Sequence, residues 1–224
     1  MKLALAAGVA FATLVGTAQA ATLTDTDTTG LSPTDFTSLP VPGLNLLPPL
    51  ELDLFDPSLG TLTGVKISIE AAFEADGTLE NTGASAEFSG FTQSIDVMAN
   101  STVGGAMLSL TLTDGFGPSV LDPGVEEAVE LGDEGMTMED VGDIAAFVGV
   151  GTFNVDFSTL SSSIISGGGN LIALINTNAE ITATVEYTFD DNGEPPPIPL
   201  PASAPLLLAA LGGLGFLTSR RSKR

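Results

Sequence analysis

The chain has 224 residues, room for one ordinary domain plus targeting segments, and contains no cysteine, no histidine, no tryptophan and a single tyrosine. All 28 acidic residues lie between Ala21 and Pro197 beside one cation, Lys66, a net of 1 − 28 = −27. That charge excludes nucleic acid as a partner, and the missing imidazole and thiol exclude disulfides, transition-metal centres and most nucleophile or general-base arrangements.

Met1-Lys2 leads into an apolar run from Leu3 to Val15, followed by Ala18-Gln19-Ala20. The small-x-small pattern predicts a secretory signal peptide over residues 1–20, helical in its apolar part and cut by signal peptidase before Ala21. The run is short for a stretch of ~20 residues able to span a bilayer. Export without cysteine points to a bacterial route. Residues 21–44 read as a flexible leader. Within it, Asp25-Thr26-Asp27-Thr28-Thr29-Gly30 begins like a calcium loop but has Phe36 where the twelfth-position glutamate should stand.

Residues 45–192 carry period-two alternation, the mark of half-buried strands. It runs through Val65-Ile67-Ile69-Ala71-Phe73, Ala84-Ala86-Phe88, Ile95-Val97, Ala106-Leu108-Leu110-Leu112, Gly151-Phe153-Val155-Phe157 and Ile181-Ala183-Val185-Tyr187-Phe189. Turn signals fall at Asp76-Gly77, Asn81-Thr82-Gly83, Asp114-Gly115-Phe116-Gly117-Pro118 and Gly167-Gly168-Gly169-Asn170. Together these predict an all-β fold, an antiparallel β-sandwich of jelly-roll or Ig-like type. Thr137 to Val148 places Met138, Val141, Ile144, Ala145 and Val148 at helical spacing and predicts a short helix. Leu160 to Asn178 fits either a strand pair or a helical turn.

Chemistry-bearing residues are few. Lys66 sits at a wet-face position, where a lysine is ordinarily solvated. Carboxylate pairs abound, but a carboxylate-based glycan hydrolase would want aromatic sugar platforms, and the chain has only Tyr187 beside its phenylalanines. No catalytic residue and no cofactor is therefore expected. Calcium is the one ion the composition invites, through Asp133, Glu134, Glu139, Asp140 and Asp143, with Asp190-Asp191-Asn192 as a second acidic run. No coordination spacing is met, so a solvated acidic loop is the plainer reading. A calcium-dependent adhesion or binding module stays open as the alternative function.

Asp190-Asp191-Asn192-Gly193-Glu194-Pro195-Pro196-Pro197 ends the domain, with residues 193–197 a stiff linker. Residues 198–224 follow as Ile198-Pro199-Leu200-Pro201-Ala202, an uncharged Ser203 to Ser219, and the basic end Arg220, Arg221, Lys223 and Arg224. As a helix, the uncharged run would measure about 26 Å, short of the ~30 Å hydrocarbon core, so it predicts a marginal single transmembrane helix with a cytoplasmic basic end.

This tripartite segment resembles a PEP-CTERM sorting signal, in particular the VPLPA-CTERM variant, with Ile198 for the usual valine and Ser222 interrupting the basic cluster. The resemblance implies that an exosortase recognises the motif and removes the tail. The product would be held only transiently in the inner membrane before reaching the cell surface or an exopolysaccharide matrix, where polysaccharide or other surface proteins would be its partners. A second resemblance lies in Phe55-Asp56-Pro57-Ser58-Leu59-Gly60-Thr61-Leu62-Thr63-Gly64-Val65, with Gly169-Asn170-Leu171 and Ala183-Thr184-Val185-Glu186-Tyr187-Thr188. These stretches are similar to the choice-of-anchor E domain over residues 45–190, a family found on exported bacterial proteins and with no established activity to carry over. The resulting expectation is a non-catalytic surface or matrix protein with a structural or interaction role.

Overall fold

The computed structural model describes residues 20–85, 87–167 and 170–191. Among the described residues eleven strands are formed: β1 (Ala20–Thr28), β2 (Ser32–Pro33), β3 (Phe36–Thr37), β4 (Asn45–Leu46), β5 (Leu50–Asp53), β6 (Gly60–Asn81), β7 (Glu87–Ser101), β8 (Met107–Leu121), β9 (Glu126–Asp140), β10 (Thr152–Gly167) and β11 (Leu171–Asp191). One sheet has the order β1-β11-β6-β9 with β2 also on β11. The other has the order β4-β3-β10-β7-β8 with β5 also on β10. All pairings between named strands are antiparallel except β3 with β4.

The alternation that marked the strands is the alternation that builds the core. Val65, Ile67, Ile69, Ala71 and Phe73 of β6 are buried together with Ile181, Ala183, Val185 and Tyr187 of β11. Ile95, Val97, Leu108, Leu112, Phe153, Val155 and Phe157 face them from the other sheet in one continuous cluster. One pole of this two-sheet fold is plugged by rings. Phe147 meets Phe153 edge-on at 5.1 Å and Tyr187 at 6.5 Å, while Phe55 lies 5.6 Å from Tyr187 and 5.1 Å from Phe189.

Several sequence expectations give way here. The leader expected over residues 21–44 is folded. Its β1 pairs with β11 over nine positions from Ala20↔Asp190 to Thr28↔Thr182, and its Phe36 is fully buried against Phe157. Residues 20–44 are thus part of the folded domain together with residues 45–191. The helix expected from Thr137 is instead the end of β9, where Thr137, Met138, Glu139 and Asp140 pair with Ile69, Ser68, Ile67 and Lys66. Only Ile144–Phe147 is helical, as one 3-10 turn. A full ladder along β6 outweighs a weak helical spacing that Gly142 interrupts. Between Leu160 and Asn178 the described residues outside the connection are strand rather than helix, but β10 and β11 lie in different sheets and do not pair with each other.

Two expected turns are strand interior. Asp76-Gly77 lies inside β6, paired on one side with Asn176 and Ile175 and on the other with Glu130 and Val129. Glycine is needed there for close approach rather than for chain reversal, because a Cβ on Gly77 would strike the Leu174 carbonyl. Gly77→Val is therefore expected to lower stability by at least about 2 kcal/mol in a urea melt. Gly142→Ala, where a Cβ meets open space, should leave the midpoint nearly unchanged. Asp114 to Pro118 likewise runs through β8, with a cis Gly117-Pro118 bond, and the ladder with β7 slips between Ser89 and Phe91. A proline within a sheet is accommodated at just such a bulge on an edge strand. Ala86, from the expected Ala84-Ala86-Phe88 run, lies outside the described residues.

Candidate functional site

Each sheet ends in strands whose outer amides have no further strand to pair with, a standing invitation to aggregation. In this domain those edges face each other across two seams, and aspartates close both. On β1, Asp25 and Asp27 occupy inner-face positions, opposite Val185 and Ala183. Their Oδ2 atoms accept the Asp53 and Glu51 N–H groups of β5 at 2.7 and 2.9 Å. Across the far seam, Asp133 Oδ2 of β9 accepts the Thr113 N–H of β8 at 2.9 Å, and Asp114 Oδ2 of β8 accepts the Gly132 N–H of β9 at 3.0 Å. Glu139 Oε2 takes the Met107 N–H at 3.0 Å.

The four aspartates share one geometry. The Oδ1 of each also accepts the N–H of the next residue, namely Thr26, Thr28, Gly115 and Glu134, at 2.8 to 3.0 Å. A carboxylate with both oxygens so occupied is oriented and half-buried, and its bonds are of the stronger, charge-assisted kind. The spacing of two in Asp25-x-Asp27 was the available signal, since it puts both side chains on one face of a strand. Reading the segment as a failed calcium loop hid it.

The calcium candidates are not brought together. Strand alternation sends Asp133 and Glu134 to opposite faces of β9, and Glu139 and Asp140 likewise, while Asp143 lies beyond the strand end. Asp133 and Glu139 are already engaged by backbone amides. Among the described residues no three carboxylates converge on a point that would hold a metal ion. Asp190 and Asp191 close β11, paired with Thr61 and Gly60; Asn192 lies outside the described residues.

Lys66 stands on the outer face of its sheet between Glu186 and Asp140 in cross-strand register, beside an open depression that Thr63 and Thr188 also line. Opposite charges placed so contribute roughly 0.2–1 kcal/mol. Tyr187 is no sugar platform: it is buried, and its hydroxyl donates to the Asp53 carbonyl at 2.7 Å. Burial first, then the charges of Asp25 and Asp53, hold the phenol protonated well above its ordinary range. The folded state therefore keeps a proton that the unfolded state gives up near pH ~10, so stability is intact below that value and falls as pH rises through it. Tyr187→Phe should flatten the decline in urea midpoint from about pH 9 to about pH 11 while costing about 1 kcal/mol at neutral pH. Asp56 is displaced the other way, lowered by the hydrogen bond from the Ser58 N–H to its Oδ1 at 2.8 Å.

Of the residues expected to serve processing, Ala20 and Ala21 begin β1, opposite Asp190 and Phe189. Ala18, Ile198, Pro199, Leu200, Pro201, Ala202, Arg220, Arg221, Lys223 and Arg224 lie outside the described residues, as do the expected signal helix, linker and transmembrane span. Among the described residues no helix is long and apolar enough to cross a membrane.

No protein-family model and no curated protein matches the chain. Two chains from infectious bursal disease virus resemble it weakly. One, from the T13 viral particle, is 12% identical with a TM-score of 0.21, covering 76% of this chain and 40% of the viral one. The other, from the Gx strain, is 10% identical with a TM-score of 0.18, covering 91% and 48%. This chain thus spans less than half the length of either, and scores this low imply neither a shared fold nor a shared function.

Proposed function

We propose that this chain is an exported, non-catalytic protein of the bacterial cell surface or exopolysaccharide matrix, a presented β-domain with a structural or interaction role. One observation carries the reading: Ala21, the first residue after the proposed cut, pairs with Phe189, so the chain enters and leaves the domain side by side at the ring-plugged pole. Both processing segments then attach to one pole. The buried core lies wholly within residues 36–189, so neither cut removes any of it.

In this reading signal peptidase cuts before Ala21. An exosortase recognises Pro199-Leu200-Pro201-Ala202 within the VPLPA-type segment and removes the span and basic end. Prolines keep such a motif extended and accessible, and a span shorter than the bilayer suits a temporary tether. Removing both ends leaves the acidic domain without four tail cations and Lys2, which favours solubility and disfavours anionic lipid. The choice-of-anchor E resemblance and the finer sandwich type, jelly-roll or Ig-like, belong to the same proposal. Replacing Pro199, Leu200 and Pro201 together by alanine in the producing cell should hold the protein in the inner-membrane fraction, while the unaltered chain reaches the surface. Equal surface delivery of both would contradict the reading.

A further inference from the structure

The aspartates that blunt the seams stop short of one edge. On the side of β10 away from β7, β5 covers Thr152 to Val155 and β3 covers Ser158. Past that point the Ser161 N–H is taken by Asp35 Oδ1 at 2.7 Å. The Phe157 N–H points to the same side, at Ser38 Oγ. By the two-residue period the backbone groups of Ser163, Ile165 and Gly167 point there too. Among the described residues no strand pairs with them.

This edge is also the least defended in sequence. Between Asp156 and Glu180 no residue is charged, the longest such run in the domain. Leu160 and Ile164, on the outer face, are 59% and 66% exposed, and Ile165 is 45% exposed. Leu160–Gly167 contains no proline, lysine or glutamate, the usual guards of an open strand. It lies toward the pole opposite the chain's exit, since Gly167 ends β10 and Leu171 begins β11 there, whereas Asp190 at the other end of β11 pairs with Ala20.

We propose that the Leu160–Gly167 edge of β10 is a self-association surface, where a second copy of this chain adds its own β10 antiparallel to form a sheet continuous across two molecules. Charge selects this occupant. Two copies repel wherever their acidic faces meet, and past the Asp35 carboxylate at Ser161 this open, uncharged edge lets identical chains approach with little opposing charge. A basic partner would be drawn to the acidic faces instead and gain nothing from an uncharged edge. The contact is isologous: main-chain hydrogen bonds supply the pairing, and Leu160 and Ile164 of each copy cover the other's strand. It holds whether or not the tail is cut.

Sedimentation velocity of the intact chain, in nonionic detergent to mask its apolar ends, tests this. The expected result is a concentration-dependent dimer that tightens from about 0.05 M to about 0.5 M NaCl as screening relieves repulsion. Leu160→Glu with Ile164→Glu should weaken it at least about tenfold, with the melting temperature unchanged because both side chains are already exposed. Val150→Glu with Leu46→Glu adds the same charge at exposed positions elsewhere, 84% and 63%, and should leave association near wild type. A wild-type chain that is monomeric at every concentration overturns the proposal. So does a dimer that the Leu160/Ile164 pair leaves intact, or one that the control pair weakens equally.

Discussion

Phe147→Ala is expected to cost about 3–5 kcal/mol, the usual range for deleting a fully buried ring, and to shift the urea midpoint accordingly. Phe147 is wholly buried on the 3-10 turn between β9 and β10, against Phe153 and Tyr187. Its carbonyl accepts the Phe55 N–H at 2.9 Å, so the turn that positions the ring is itself tied to the loop that seats Phe55. The space for the ring depends on Gly104, where an added Cβ would strike Phe147 and where φ is +68°. Gly104→Ala should therefore destabilise strongly in the wild type and much less in the Phe147→Ala background. The residual cost there is the left-handed backbone that alanine disfavours and the approach of the new Cβ to Val141 Cγ1 at 2.9 Å. Simple additivity of the two changes would mean that ring and glycine do not share the site described.

Asp25→Asn with Asp27→Asn is expected to destabilise by about 2–4 kcal/mol, from about 1–2 per position for partly exposed charge-assisted bonds. Asparagine keeps the size but supplies one acceptor oxygen where aspartate uses two. Either the bond to the next residue or the bond across to β5 is lost, and an amide N–H group is turned toward a backbone donor. The matched pair Asp114→Asn with Asp133→Asn tests the other seam, and because the seams share no residue the two effects should add. Asp76→Asn and Glu80→Gln, which remove charge from β6 without touching a seam, should leave stability the same or raise it by relieving repulsion. Hydrogen exchange at Glu51, Asp53, Thr113 and Gly132 gives the local readout, since those amides are the ones the carboxylates hold.

Much of the fold was legible because burial follows the two-residue period. The odd positions of β6 and β11 and the run Phe153-Val155-Phe157 are readable as core from their alternation alone. What misled was punctuation read one strand at a time. Asp76-Gly77 has the composition of a hairpin turn, yet partners on both sides hold it extended, and its glycine answers to a neighbouring carbonyl that no local window contains. The leader was obscured for a related reason. β1 has threonine on its outer face and aspartate on its inner face, so it lacks the apolar rhythm of a strand, and its aspartates find their purpose only when β5 arrives across the seam. Met138 and Val141 have helical spacing, but β6 offers a ladder that ends only at Lys66. For the site, the sequence located the acids without their arrangement, since strand alternation scatters candidates that adjacency seemed to gather.

The reading of the chain as a processed surface protein is tested most directly by the intact mass of the protein recovered from outside the producing cell. A mass matching an N-terminus at Ala21 and a C-terminus within Pro199 to Ala202 is the predicted result. A surface or matrix product that still carries Arg224 would contradict it.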